Sequence, residues 1–174
     1  KWFYVEDGVW VTRNALVEYK GVIFYIKGGK WDSSLKDTLY KIEGNWYYIV
    51  DGKLAVDETT LVKYEGKWFY VENGNLSFKT RFVEYKGVTF YITGGKWNKD
   101  LDTLIKKDGK FRYIKSGKWD SSLESLHKLN GKWFLVKGGM WKATTGLVTY
   151  QGKQFYVVGG KWESRTGIYT ISGK

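Results

Sequence analysis

One glycine returns along this chain with a near-constant period: Gly8, Gly29, Gly52, Gly74, Gly95, Gly117, Gly139 and Gly160 are spaced 21 to 23 residues apart. A second keeps the same beat ahead of an aromatic run, at Gly21, Gly44, Gly66, Gly87, Gly109, Gly131 and Gly152. Self-similarity at a period of about 20–50 residues marks a repeat architecture, because one such unit cannot bury its apolar face alone. The repeats read as 1–19, 20–42, 43–64, 65–85, 86–107, 108–129, 130–150 and 151–174, a single array of about eight units of ~22 residues. The chain starts at Lys1-Trp2, inside a unit, and stops at Ser172-Gly173-Lys174, where a further unit would start. That reads as a piece of a longer array or a terminal module.

The segments between glycines are short and rich in Trp, Tyr, Phe, Val and Ile, as in Trp46-Tyr47-Tyr48-Ile49-Val50 and Trp68-Phe69-Tyr70-Val71. Short β-favouring runs bounded by glycine are strand signals. Asp108-Gly109, Asn130-Gly131 and their Lys-Gly, Glu-Gly and Gln-Gly equivalents read as two-residue hairpin turns, where glycine takes positive φ without steric cost. Residues 61–64, the turn Glu65-Gly66 and residues 67–71 thus predict one hairpin, and Lys30-Trp31-Asp32-Ser33-Ser34 predicts a short strand followed by a loop. An isolated hairpin is marginal in water. Stacked hairpins share their faces, and stability becomes a sum over neighbour interfaces. The expected fold is all-β, a solenoid of stacked hairpins.

Comparing copies within the chain assigns the strand positions. The second is Phe3, Phe24, Tyr47, Phe69, Phe90, Arg112, Phe134 and Phe155; the fourth is Val5, Ile26, Ile49, Val71, Ile92, Ile114, Val136 and Val157. They are two apart, share one face and predict the core, with Arg112 the single break. The first position (Trp2, Ile23, Trp46, Trp68, Thr89, Phe111, Trp133, Gln154) and the third (Tyr4, Tyr25, Tyr48, Tyr70, Tyr91, Tyr113, Leu135, Tyr156) share the other face. That face suits either hairpin stacking or a partly wet ligand groove. A further aromatic follows the later glycine at Trp10, Trp31, Trp97, Trp119, Trp141 and Trp162, replaced by Leu54 and Leu76 in two units. Packing and ligand contact are both open for these tryptophans.

Aromatics at 19% exclude a disordered chain. The absence of cysteine excludes disulfides and thiolate metal sites, and no apolar run is long enough to span a bilayer. The net charge of +11 is uneven: residues 1–87 hold 13 Lys/Arg against 12 Asp/Glu, and residues 88–174 hold 16 against 6. Only the second half should attract anions strongly. The single histidine, His127, lacks the partners of a triad or a histidine metal site. Asp32-Ser33-Ser34 and Asp120-Ser121-Ser122 read as turn or capping groups. No repeat position is consistently acidic, as paired glycosidase carboxylates would require. No cofactor, metal site or enzymatic activity is expected.

The Trp-Tyr-Tyr-type strands (Trp46-Tyr47-Tyr48, Trp68-Phe69-Tyr70), the following Asp/Asn-Gly and Thr145-Gly146-Leu147-Val148 resemble the choline-binding and glucan-binding repeats of Gram-positive surface proteins. They are also similar to the repeats of large clostridial toxins. The resemblance spans essentially the whole chain. It implies a β-hairpin solenoid on a secreted or wall-attached bacterial protein, holding its parent at a surface through wall polymer or carbohydrate. In choline-binding members a Trp directly after a glycine completes the ligand cage. That position reads Leu147 here, and Leu16, Leu39, Leu61, Phe82, Leu104, Leu126 and Ile168 elsewhere, so the cage is not preserved.

The leading expectation is a non-catalytic attachment module, located extracellularly at the cell wall or cell surface. Its partner would be a cell-wall polymer of teichoic-acid type or a glycan, held by stacking on aromatics and strengthened by multivalency. Candidate ligand-binding residues are Trp97, Trp119, Trp141 and Trp162 with Tyr91, Tyr113 and Tyr156, because they lie in the basic half. A structural spacer or protein-interaction stalk is the alternative, and nucleic acid is an unfavoured partner because the first half is nearly neutral.

Overall fold

The computed structural model describes residues 1–168, and the expected chain end at Ser172-Gly173-Lys174 lies outside the described residues. The fold is all-β, a hairpin solenoid in which 24 short strands follow one another among the described residues. A five-residue leading strand, a two-residue turn, a six-residue central strand, a second turn and a two-residue tail strand recur as a set. The first complete set is Ala15–Tyr19, Val22–Lys27 and Lys30–Trp31. The last is Gly146–Tyr150, Lys153–Val158 and Lys161–Trp162. Ahead of them Trp2–Phe3, Val5–Glu6 and Val9–Trp10 form the strands of a partial set.

Each leading strand pairs antiparallel with its central strand, as in Leu61↔Tyr70 and Val148↔Phe155. At Asn130-Gly131 both φ angles are positive, 48° and 80°. Such turns twist in the sense of the strands they join, which is why Asx-Gly and its equivalents sit there.

The chain divides into two compact units, one of Lys1–Tyr85 with Ile92–Trp97, the other of Lys86–Tyr91 with residues from Asn98 onward. One stacking rule holds inside each. The free edge of a central strand is taken by the tail strand of the next hairpin. In the first unit this gives Phe24↔Lys53 and Tyr47↔Asn75. In the second it gives Arg112↔Met140 and Phe134↔Lys161.

The core follows from that rule. The first- and third-position face of one hairpin lies on the second- and fourth-position face of the next. Tyr25 thus packs with Ile42 and Ile49 beside Tyr47 and Leu54. In the second unit Leu126 and Leu135 pack with Val157 beside Trp133, Phe155 and Trp162. In six copies the fourth position is sealed, at 0% exposure in Ile49, Val71, Ile92, Ile114, Val136 and Val157, whereas Val5 of the partial first set, expected in the core, is 52% exposed. The sequence placed the core on this face and left the other open between hairpin stacking and a partly wet groove. The structure buries the third position as well, with Tyr70 at 1% and Tyr113 at 2%. A hairpin inside a stack has a neighbour on both faces, which covers the third position, while the first position stays partly exposed as expected, from half-buried Trp46 and Trp133 to exposed Gln154.

The glycine of the second turn ties each hairpin to the one before. The Gly52 carbonyl accepts from the Tyr25 N–H at 2.9 Å and from Trp31 Nε1–H at 3.0 Å. The Gly139 carbonyl accepts likewise from Tyr113 N–H at 2.9 Å and Trp119 Nε1–H at 3.0 Å. A Cβ added at Gly139 would stand 2.6 Å from that indole nitrogen and press on the Asp120 backbone. The period of the sequence is therefore a steric requirement of the stack as well as a turn requirement.

Candidate functional site: aromatic grooves between hairpins

The tail-strand tryptophan of one hairpin meets the first-position aromatic of the hairpin before it. The register forces this, because the two are cross-strand partners: Trp2↔Trp31 and Trp133↔Trp162. In both pairs the ring centroids are 6.3 Å apart, at 84° and 75°. Two further rings complete each corner. Tyr19 and Phe24 approach the first at 6.1 Å and 5.3 Å. Tyr150 and Phe155 approach the second at 5.4 Å and 5.3 Å. Edge-to-face packing suits the ring quadrupoles. A concavity of about 350 Å³ opens at the first corner, lined by Trp2, Tyr4, Tyr19, Phe24 and Trp31 among others. A second, of about 620 Å³, is lined by Tyr48, Trp68 and Tyr85 with Lys36, Lys63 and Glu65.

Lysines from the tail strands reach over the rings. Lys30 Nζ lies 5.7 Å and 5.6 Å from the centroids of Phe3 and Trp10. Lys53 covers Phe24 at 5.9 Å, Lys96 covers Phe69 at 5.5 Å and Lys118 covers Phe90 at 5.3 Å. Each tail lysine is thus an internal cation on an aromatic face.

The residues singled out from sequence distribute unevenly. Trp141 lies edge-on between Phe111 at 5.5 Å and Phe134 at 6.3 Å, and Trp162 belongs to the corner with Trp133. Trp119 carries Arg112 over its ring at 4.7 Å. Trp97 is half-buried opposite Ile92. Tyr91 and Tyr156 are half-buried. Tyr113 is in the core with Leu129 and Val136, against His127 at 5.1 Å, and burial raises its phenol pKa. His127 itself stands on a strand opposite Phe134, with a ring nitrogen 3.0 Å from the Glu124 carbonyl.

Two features escaped the sequence reading. The tyrosines that end the leading strands, Tyr19, Tyr64 and Tyr150, are groove members, and their recurrence two residues before a turn glycine was the available signal. The residue before each leading strand caps the second turn 14 residues later: Asn14 accepts from the Gly28 N–H, Asp37 from Asp51, Thr80 from Gly94 and Thr145 from Gly159. Asp32 and Asp120 accept from the hydroxyl and N–H of Ser34 and Ser122, so these are turn groups, and the hydrogen bonds hold both carboxyls below the usual carboxylate range.

Among the described residues no helix is long and apolar enough to cross a membrane. Residues 36–55, 57–75 and 143–161 match the choline-binding repeat family. Comparison with curated protein sequences finds no match. Among solved structures, choline binding protein F of Streptococcus pneumoniae is similar at 20% identity over 90% of this chain and 49% of its own, with a TM-score of 0.41. CbpJ of the same species gives 15% identity over 92% and 57%, with a TM-score of 0.42. Truncated alternansucrase from Leuconostoc mesenteroides gives 19% over 87% and 13%, with a TM-score of 0.38. The chain spans about half the length of the two choline-binding proteins. Residues 36–55, 57–75 and 143–161, a minority of the chain, thus match the model of the choline-binding repeat, within an all-β chain of stacked hairpins.

Proposed function

We propose that the chain is a non-catalytic attachment module of a bacterial surface or secreted protein, acting as one array outside the cell and binding cell-wall polymer or another glycan. The observation that supports it most is the ring corner repeated at Trp2/Trp31 and Trp133/Trp162. Two aromatic planes at near right angles offer a sugar ring one face to stack on and one wall to lean against. The ring faces that meet the tail lysines already hold a cation, so sugar stacking on the open walls fits better than capture of a quaternary ammonium. In the basic half Trp119, Trp141, Trp162, Tyr91 and Tyr156 are the proposed contacts of one compact unit and Trp97 a separate one in the other, while Tyr113 supports from the core. Single sites would be weak, and several on one array would add by multivalency.

The test is retention of the chain on purified Gram-positive walls, with and without their anionic polymer, and on insoluble α- and β-glucans. Retention on any of these that drops in a Trp31→Ala, Trp162→Ala double variant supports the reading. Retention on none of them sinks it. A second reading, a spacer or protein-interaction stalk, draws support from the indole N–H groups of Trp31, Trp119 and Trp141, which are spent on neighbouring glycine carbonyls. It predicts that the double variant loses stability and no binding.

A further inference from the structure

We propose that Asn130 is a site of covalent self-modification, where the chain deamidates its own Asn130-Gly131 turn and so alters the backbone that leads into the Trp133 corner. The site stands independently of the attachment reading.

The reaction needs only the chain and water. The Gly131 backbone nitrogen attacks the Asn130 side-chain Cγ and forms a new C–N bond. The Cγ–Nδ2 bond breaks, and the side-chain nitrogen leaves as ammonia, carrying the proton that the Gly131 nitrogen gives up. Water then opens the resulting cyclic imide at one carbonyl or the other. One opening gives aspartate. The other gives isoaspartate, in which the main chain runs through the side-chain methylene. Glycine in second place favours the attack because no side chain shields the nitrogen. The chain has two such pairs, Asn73-Gly74 and Asn130-Gly131, whereas Asn14, Asn45, Asn75 and Asn98 precede Ala, Trp, Leu and Lys.

The structure treats the two pairs in opposite ways. The attack requires the Asn–Gly peptide to rotate, so whatever holds that peptide sets the rate. Both asparagines start from the same kind of backbone, with φ of +51° at Asn73 and +48° at Asn130. At the first pair the Gly74 N–H donates to the Glu58 carbonyl at 3.0 Å. The Thr59 hydroxyl accepts from the Asn73 N–H at 3.2 Å and donates to Asn73 Oδ1 at 3.3 Å. Gly74 is buried, and a Cβ there would stand 2.7 Å from the Ala55 carbonyl oxygen. The nucleophile is thus spent on a hydrogen bond, and the carbon it would attack is tied to a neighbouring loop.

At the second pair these restraints are missing. Asn130 and Gly131 are both exposed, and a Cβ on Gly131 would meet nothing within 4 Å. Among the described residues no hydrogen bond holds the Asn130 side chain or the Gly131 N–H. Only the turn itself resists rotation, and a hairpin tip opens locally without unfolding the stack.

The two products differ in what they do to the fold. Aspartate fits, because Asp108-Gly109 makes the same turn in the preceding hairpin, with Asp108 at φ +51°. Isoaspartate adds a methylene to a two-residue turn closed by Leu129↔Lys132 and, one pair further in, Lys128↔Trp133. Trp133 holds its corner with Tyr150 at 5.4 Å and Trp162 at 6.3 Å. A longer turn dislocates the rung that places this ring.

The experiment ages the full chain in mildly alkaline buffer and follows both asparagines by peptide mass mapping, with isoaspartate scored apart from aspartate. Asn130 should convert at least about ten-fold faster than Asn73, because each hydrogen bond that must open at Asn73 slows the attack several-fold. In urea the two rates should converge. Thr59→Val removes both bonds of the hydroxyl and should speed Asn73. The same variant should leave the Asn130 rate unchanged, which also shows that the chain is still folded. Asn130→Asp should keep the Trp133 indole N–H resonance in place, and the isoaspartate form should move it. Equal rates in the folded chain, or a preference for Asn130 that survives in urea, would overturn the proposal. An isoaspartate form with an unmoved Trp133 resonance would overturn the link to the corner.

Discussion

Arg112 and Met140 face each other across adjacent strands, on a rung where the cation has changed sides. On five other rungs the central strand gives an aromatic and the following tail strand a lysine: Phe3↔Lys30, Phe24↔Lys53, Phe69↔Lys96, Phe90↔Lys118 and Phe134↔Lys161; on a sixth, Tyr47 faces Asn75. At the Arg112 rung the central strand gives the cation, and the tail gives the only methionine of the chain. The two departures compensate. Arg112 finds its aromatic face in Trp119 of its own hairpin, and the flexible thioether fills the place opposite it.

That compensation predicts coupling. Met140→Lys alone puts an ammonium opposite a guanidinium and should cost about 0.5–1 kcal/mol. Arg112→Phe with Met140→Lys restores the common rung and should recover that loss. Urea midpoints of the four proteins give the cycle, and a coupling of at least ~0.5 kcal/mol is expected. Strict additivity would mean that the two departures are unrelated.

The two glycines of one hairpin should differ sharply. Gly131 and Gly139 have the same kind of backbone, with φ of +80° and +66°. A Cβ at Gly131 meets nothing within 4 Å, whereas at Gly139 it meets Trp119 Nε1 at 2.6 Å. Gly131→Ala should therefore cost about 1 kcal/mol, the strain of positive φ alone. Gly139→Ala should cost at least twice that and loosen the Trp119 hydrogen bond, visible as a shift in indole N–H resonance. Equal costs would show that the turn, and not the stack, fixes the second glycine.

The glycine period, the turn types and the buried fourth position were legible because each is a local demand repeated in every copy. The alternation of Trp46, Tyr47, Tyr48 and Ile49 fixed which residues share a face, but not that both faces would be covered. That depends on Tyr25 of one hairpin landing on Ile49 of the next, a relation between repeats that periodicity does not encode. The tail tryptophans were legible as a class, while their perpendicular meeting with Trp2 and Trp133 was set by inter-hairpin register. Tyr113 attracted attention through its place in the basic half, and burial decided its position instead.

The 14-residue caps were hidden because Asn14, Asp37, Thr80 and Thr145 are of three residue types that share only an acceptor oxygen. Thr145→Val keeps the shape of the side chain and removes the oxygen that receives the Gly159 N–H at 3.0 Å. A loss of about 0.5–1.5 kcal/mol is expected, with Thr145→Ser close to neutral. Faster amide exchange at Gly159 in the valine variant, and not in the serine one, would locate the effect. Valine matching wild type in both stability and exchange would show that water replaces the cap at no cost.

Asp120 gives a pH prediction with a definite sign. The Ser122 hydroxyl first, and the Ser122 N–H second, lower its pKa below the ordinary carboxylate value. A carboxyl lowered by folding adds stability above its unfolded pKa of about 3.9 and gives it up as pH falls through the lower folded value. The loss should therefore come in strongly acid solution and leave neutral pH untouched. Ser122→Ala removes the larger cause and keeps the smaller, so the titration midpoint of Asp120 should move up part of the way toward the ordinary value. Asp32, held in the same manner by Ser34 in the other compact unit, should stay where it was. Side-chain carboxyl shifts followed by NMR through the acid range read both residues in one experiment. An Asp120 midpoint that ignores the substitution would place the cause in the backbone turn and not in the serine hydroxyl.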